Sequence, residues 1–473
     1  MTRGPLTRNV DLDLGNAGRM PRRTFLAGST AAATAAVARQ VAAASDTIGV
    51  GLIGYGLIGK RHLLDLREEP DVRLVAISDC HQGRLEEARA LVGGKVRAYA
   101  DFRRLLDDRD VDVVFVATPD HWHALMTMMA CAAGKDVYVE KPLTLFPREG
   151  VWMQQLAQRY RRVVQVGTQQ RSFPHYARAR ELIRDGHLGQ IVSVRMHAFR
   201  NVMPGFGNPP DGPPPEGFDW DMFLGPAPLR PYNPNRGLYH FRWFWDTSGG
   251  QMTNLGQHAL DIVDWFLGPL ELKRVVSFGG RYALKDNGQT PDTQDAIFDF
   301  GSFTAVWSHR EASRGEREGE GLVFYGTKGS LSISRSGFTV TPDPIIPPEN
   351  AVPQWTEGGQ PVGGVVPRRL EGPPRMWTTA LSDRSGDQRH QFHRHHRNFF
   401  EGVKSRQAPV SDLASGHRVA TWCHLANISL QLGRSLTWDA ARETVVGDDE
   451  AAGRLVRPYR APWDAQLASL LGQ

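Results

Sequence analysis

Residues 48–66 read IGVGLIGYGLIGKRHLLDL, and the fold turns on how this stretch divides. The first six residues suit one short buried strand, while the apolar positions from Leu57 onward recur at helical spacing. Between them Gly54, Gly56 and Gly59 form G-x-G-x-x-G, with Tyr55, Leu57 and Ile58 in the gaps. In a strand-to-helix turn that binds a dinucleotide, Gly54 allows the tight turn, Gly56 the approach of pyrophosphate, and Gly59 close packing of helix on strand. The phosphates would lie on the helix N-terminus, where unpaired N–H groups and the dipole favour anions. A glycine-rich turn that binds nothing would show the same three residues, so the surroundings decide.

A second apolar run, VRLVAIS (72–78), ends at Asp79, twenty residues past Gly59. A carboxylate there accepts the ribose hydroxyls of NAD and repels a 2′-phosphate. Arg84 is close enough in sequence to leave NADP open. Helix and strand patterns then alternate: FRRLLDDRD (102–110), VDVVFVATP (111–119), HWHALMTMMACAAGK (121–135), DVYVEKP (136–142), REGVWMQQLAQRY (148–160) and RVVQVGTQQR (162–171). This alternation predicts a parallel sheet covered by helices, with ligands beyond the carboxyl ends of the strands. Those ends are ATPDHWH, VEKP and GTQQRS.

The chain of 473 residues is too long for one small domain, and 41% apolar with 23% charged residues is ordinary globular composition. The net charge of +5 is concentrated at one end, because the first 44 residues hold six arginines and two aspartates. The remainder lacks the basic excess of a nucleic-acid binder. Three cysteines make no disulfide framework. Arg22-Arg23-Thr24-Phe25-Leu26, a mild alanine-rich run and the small residues Ala42 and Ala44 resemble a twin-arginine (Tat) export signal over 1–44. An alanine-rich leader with an accidental arginine pair is the alternative. The signal reading implies a periplasmic or extracellular protein, passed folded through the Tat translocon and not held in the membrane afterwards.

Downstream, GQIVSVRMHAFR (189–200), LKRVVSFGGRYA (272–283), DTQDAIFDFG (292–301), FTAVWSHRE (303–311) and GLVFYGTKGSLSIS (321–334) alternate as strands with one solvated face do. The expected plan is a Rossmann domain over 45–168, an α+β domain over 169–450 and a C-terminal tail over 451–473. Proline-rich residues 203–236 are expected to form a rim over the active site, and 341–376 a mobile insertion. QFHRHHRNFFEGVKSR (391–406) and DLASGHRVATWCHLANISLQLG (412–433) read as helices. His390, His393, His395 and His396 have metal-like spacing, but interleaved arginines and the lack of an obvious acid or cysteine favour a solvated basic helix start and no metal site.

The glycine loop, the acid at 79, Thr118-Pro119 with His123, Glu140-Lys141-Pro142, and GGQMTNLGQHALDIVDWFLG (249–268) together resemble the Gfo/Idh/MocA oxidoreductases. The resemblance covers about 45–440. It implies an α/β Rossmann domain followed by an α+β domain with a large open, mostly antiparallel sheet, whose bare face is covered in a homo-oligomer. It also implies nicotinamide binding by the glycine loop, Asp79, Thr118, Pro119, His123, Glu140 and Lys141, with Gln169 facing the same crevice.

Hydride transfer from an alcohol requires a base for the hydroxyl proton, and Lys141 and His258 are the candidates. Arg171, Asn254, Asp261, Tyr239 and Trp243 are the candidate substrate contacts, with Asn254 and Asp261 on the face of His258 if the segment is helical. Many family members carry aspartate where this chain has Asn254. An amide cannot act as the base, nor raise the imidazole pKa by charge. The leading expectation is an oxidoreductase acting on a hydroxyl of a sugar, polyol or glycoside, with tightly held NAD (or NADP) recycled in the site. The alternatives are a redox-neutral NAD-dependent glycosidase and a non-catalytic carbohydrate-binding protein with structural NAD.

Overall fold

The run at 48–53 forms a strand with a parallel neighbour on each side, and that pairing sets the first layer. The computed structural model describes residues 47–315, 319–346, 356–357, 360–361, 373–386 and 391–472. Strands β1 (Ile48–Ile53), β2 (Val72–Ser78), β3 (Arg97–Tyr99), β4 (Val113–Val116), β5 (Asp136–Val139) and β6 (Val164–Val166) make a parallel sheet in the order β3-β2-β1-β4-β5-β6. Its central strands are covered on both faces, so Val50, Leu52 and Val113 through Val116 are fully buried. The order reverses between β1 and β4, and the ligand crevice of such a sheet opens at that reversal. Helices α1 (Leu57–Leu66), α2 (Gln82–Leu91), α3 (Phe102–Leu106), α4 (Asp120–Ala132) and α5 (Pro147–Arg159) connect these strands.

The second sheet is built from β7 (Ile191–Phe199), β8 (Arg274–Gly280), β9 (Thr293–Asp299), β10 (Thr304–Arg310), β11 (Gly319–Gly326), β12 (Gly329–Ser334) and β13 (Gly337–Pro342). They run in the order β13-β12-β11-β7-β10-β9-β8, with short strands beyond each edge. Among them β7 and β10 pair in parallel and the other neighbours are antiparallel. Alternation along each strand sends Val194, Met196, Ala296, Phe298, Ala305 and Trp307 into one core. Against that face pack α6 (Pro174–Arg184) and α8 (Gln257–Leu267). A short α7 (Trp220–Leu224) lies in the proline-rich stretch between β7 and α8.

The later helices tie the layers together. Helix α9 spans Gln391–Ser405, and α10 spans Leu413–Leu432. Helix α10 is buried along most of its length, its polar Ser415, His417, Thr421, His424, Asn427 and Ser429 included. Leu413 and Ala420 belong to the core of the parallel sheet, while Val419, Trp422 and Cys423 belong to the core of the second. Within the segment 451–473, Trp463 packs edge-on against Trp122 and stacks on Phe102.

One reading changes here. The histidines of α9 are not a solvated basic face: His395 and His396 are fully buried. His396 Nε2 lies 2.9 Å from His62 Nδ1, and His395 reaches Ser172 and the carbonyl of Val166. The arginines misled, because Phe392, Phe399 and Phe400 carry this face of the helix into the core. His390 and the Tat signal over 1–44 lie outside the described residues, as does most of 341–376.

Candidate active site

The glycine loop is built as its spacing requires. Gly54 has φ +91°, a left-handed conformation that strains other residues. A Cβ on Gly59 would sit 1.9 Å from the Gly54 carbonyl oxygen, so the helix packs on the strand only with glycine there. A Cβ on Gly56 would meet nothing nearer than 3.8 Å and would fill open groove. That groove, about 840 Å³, is lined by Gly54, Gly56, Leu57, Ile58, Asp79, Thr118 and Pro119. Opposite them, Met222, Phe223, Tyr239 and Arg242 form its other wall. The proline-rich stretch therefore supplies a rim, and Tyr239 belongs to the nucleotide groove.

Asp79 follows β2 and accepts the N–H groups of Tyr55 and His81, one on each oxygen, at 2.7 and 2.8 Å. Each carboxylate oxygen keeps a second lone pair for a ribose hydroxyl. Arg84 lines the same groove. Asp79→Ala, with Arg84 retained, is expected to raise kcat/KM for NADP relative to NAD at least about tenfold by removing the repelling charge. Steady-state kinetics with both nucleotides checks this. Thr118 Oγ1 is buried with no hydrogen-bond partner among the described residues, an orphan hydroxyl in the wall that a ligand would satisfy. Open space at Gly56, free helix-start N–H groups and that hydroxyl fit a dinucleotide.

Several expected cofactor contacts face elsewhere. The Tyr55 ring is buried in the core beneath the loop. His123 bridges the carbonyls of Pro142 and Thr118 at 2.6 and 2.8 Å, so it joins the two strand ends and leaves the cofactor to them. Glu140 turns inward to His62 Nε2 at 2.9 Å. Gln169 is buried in a 3-10 turn after β6, its Oε1 without a partner among the described residues. Tyr55 and Glu140 sit at strand ends and His123 in the first turn of α4, and the pleat and the local turn set their direction, which motif spacing does not report.

The substrate set also changes. Arg171 and Asp261 form a bidentate pair with contacts at 2.7 and 2.9 Å, both almost completely buried. They neutralise one another beneath the site and leave no free charge for a substrate. Breaking such a pair strands a buried charge and costs about 3–5 kcal/mol. Arg171→Met is expected to lower unfolding stability by that amount, read by urea denaturation. Trp243 is buried too, its Nε1 donating to Glu311 Oε2 at 2.7 Å. It is an anchor beneath the site and not a sugar platform.

Lys141 and Asn254 come together directly. Lys141 Nζ donates to Asn254 Oδ1 at 2.9 Å and to the Asn254 carbonyl at 3.2 Å. Asn254 lies in a π-helical turn, Met252–Gly256, that leads into α8. The regular i−4 relation to His258 therefore does not hold, and the wider turn marks a functional bend. Burial pulls the Lys141 amine down to about 8, against the opposing charge of Glu140. His258 is buried at the start of α8, and its pKa falls well below the usual value, first from burial and then from the charges of Lys141 and Arg335. It is neutral at physiological pH, and its Nδ1 makes no hydrogen bond among the described residues. A hollow of about 350 Å³ beside it is lined by Gln170, Tyr176, His197, Trp307 and Arg335. Sequence reasoning passed over Gln251 and Glu311, which support Asn254 from behind; only their presence in GGQMTN and SHRE hinted at them.

Comparison with known proteins agrees with this construction. Residues 48–168 match the oxidoreductase family's NAD-binding Rossmann fold, and residues 151–276 with 384–465 match its C-terminal alpha/beta domain. Residues 228–332 match the GFO/IDH/MocA C-terminal domain. The chain belongs to the Gfo/Idh/MocA oxidoreductase family. Inositol 2-dehydrogenase 1 of Saccharopolyspora erythraea is 34% identical over 169 residues, 33% of this chain and 50% of that protein. Levoglucosan dehydrogenase of Pseudarthrobacter phenanthrenivorans is 34% identical over 159 residues, 32% of this chain and 40% of that one. The matched stretches thus span half or less of these relatives. A structure of levoglucosan dehydrogenase in complex with NADH and levoglucosan superposes with a TM-score of 0.61 at 19% identity, over 82% of this chain and 98% of that one. At that identity the likeness speaks for the fold.

Proposed function

We propose that this protein oxidises a ring hydroxyl of a cyclic polyol, sugar or glycoside with NAD, Lys141 taking the hydroxyl proton. One observation carries the reading: a lysine whose amine titrates near 8 stands at the carboxyl end of β5, one strand over from the groove wall at Thr118. A base works best when its pKa lies near the working pH. When bound, the nicotinamide supplies the hydride acceptor. Leu57, Ile58 and the loop glycines hold the phosphates, and Asp79 the ribose. Neutral His258 offers a hydrogen bond to the reacting hydroxyl or its neighbour. Inositol and levoglucosan dehydrogenases among the relatives support a polyol or sugar as substrate. The test is to mix the protein with NAD and a panel of cyclic polyols and anhydrosugars and to follow reduced nicotinamide by absorbance. Reduction by at least one of them supports the reading; a flat trace with the whole panel overturns it.

The finer reading is a cofactor that stays bound between turnovers in an exported protein. The wall of Met222, Phe223, Tyr239 and Arg242 across the groove supports retention, and the arginine pair at 22–23 supports Tat export to the periplasm. A recycled cofactor also suits the redox-neutral glycosidase cycle. A second copy of the chain is the proposed cover for the outer face of the second sheet, where Phe278, Ile297 and Tyr325 are exposed.

A further inference from the structure

The geometry points to Gln251 and Glu311 as positioning residues that fix which way the Asn254 amide faces and so aim the lone pair of Lys141 at the substrate. This rests on the reading of Lys141 as the base. Glu311 follows β10, is almost wholly buried, and accepts from Gln251 Nε2 at 2.9 Å. It also accepts from Trp243 Nε1 at 2.7 Å and Arg200 Nε at 3.0 Å. An ionised carboxylate only accepts, so Gln251 must present its NH₂ group to it. That leaves Gln251 Oε1 facing Asn254, whose Nδ2 donates to it at 3.1 Å. Asn254 then has only its Oδ1 to offer Lys141. A carboxylate at one end thus sets the polarity of two amides that either could otherwise adopt by a half-turn.

The consequence lies in the neutral amine. It has two N–H bonds and one lone pair, and two acceptors, Asn254 Oδ1 and the Asn254 carbonyl, take the two N–H bonds. The lone pair is left pointing away from Asn254, free to accept the hydroxyl proton. The product ammonium uses the same two acceptors, so proton transfer requires no reorganisation. A flipped amide would donate Nδ2–H into the lone pair and consume it. Aspartate at 254 needs no such device, because both its oxygens accept; asparagine does. The other charged groups acting on Lys141 are Glu140, Arg242, Asp120 and Arg335.

The test uses Gln251→Met and Glu311→Gln in the full-length protein, each also combined with Asn254→Asp. The first readout is the Lys141 pKa in nucleotide-free protein, from the pH dependence of its labelling by an amine-directed reagent. A freed amide satisfies the neutral amine as well as the charged one, so the pKa falls by about half a unit or more in either single variant. In the Asn254→Asp background the same substitutions leave it unchanged. With saturating substrate, kcat drops about tenfold in the single variants while KM for NAD stays within about twofold. An unshifted pKa in the well-folded single variants, or an equal shift with aspartate at 254, overturns the relay. If Glu311→Gln fails to fold because Arg200 is stranded, Gln251→Met decides alone. The labelling readout does not depend on turnover, so a pKa shift without any sugar activity would retain the relay and reject the dehydrogenase reading.

Discussion

Replacing Lys141 by methionine is expected to lower kcat for sugar oxidation about a thousandfold while leaving the Kd for NAD within about threefold. Loss of a positioned base costs about 10²–10⁴ in rate, and the groove that holds the nucleotide is lined by other residues. The native pH profile follows from the same group. Burial lowers the amine to about 8, so the neutral form needed to accept a proton is scarce below that pH and dominant above it. Oxidation therefore rises as pH passes upward through about 8, and reduction of the corresponding ketone, which uses the ammonium, falls over the same range. The methionine variant loses this limb. His258 does not contribute a limb near neutrality, since it stays uncharged there. Single-turnover kinetics across pH, in both directions, check the size and the sign together.

Gly59→Ala is expected to weaken NAD binding about a hundredfold, or about 2.8 kcal/mol at 1.4 kcal/mol per factor of ten. The new Cβ would lie 1.9 Å from the Gly54 carbonyl oxygen, and a backbone atom cannot step aside as a flexible side chain does. Either the helix start or the loop must shift, and both carry the N–H groups meant for the phosphates. Gly56→Ala makes the useful contrast, because its Cβ enters open space and obstructs only a ligand. Calorimetric titration of both variants with NAD separates the two mechanisms: Gly59→Ala lowers thermal stability as well as affinity, and Gly56→Ala lowers affinity alone.

The parallel sheet was legible because its signals are local. Five apolar runs, three glycines and an acid at 79 marked five of its six strands, whereas the three-residue edge strand β3 (Arg97–Tyr99) has no apolar run to announce it. Most of the second sheet was legible for the same reason, from alternation along the strands between 189 and 334, while β13 (Gly337–Pro342) was not read. What spacing could not report was direction. Glu140, His123 and Tyr55 stand in the expected places and turn their side chains inward. Arg171 and Asp261 are 90 residues apart, so their mutual neutralisation was invisible until the fold joined them. The π turn at 252–256 displaced Asn254 from the helical face assumed for it. The buried histidines of α9 were hidden by exposed arginines beside them. Glu311 sits 60 residues from Gln251, just after a strand whose residues look like ordinary sheet, and only the tertiary structure makes it a partner of the site.

The measurement that tests the account most directly is the fate of one hydrogen. The protein would be incubated with cyclic polyols and anhydrosugars carrying deuterium on their ring carbons, then denatured, and the nucleotide analysed by mass spectrometry. The account predicts reduced nicotinamide nucleotide carrying one deuterium with a substrate from this class, and none with the Lys141→Met variant over the same interval. Nucleotide recovered without deuterium from every member of the panel, in native protein that binds NAD, would contradict hydride transfer from a sugar carbon and with it the central claim.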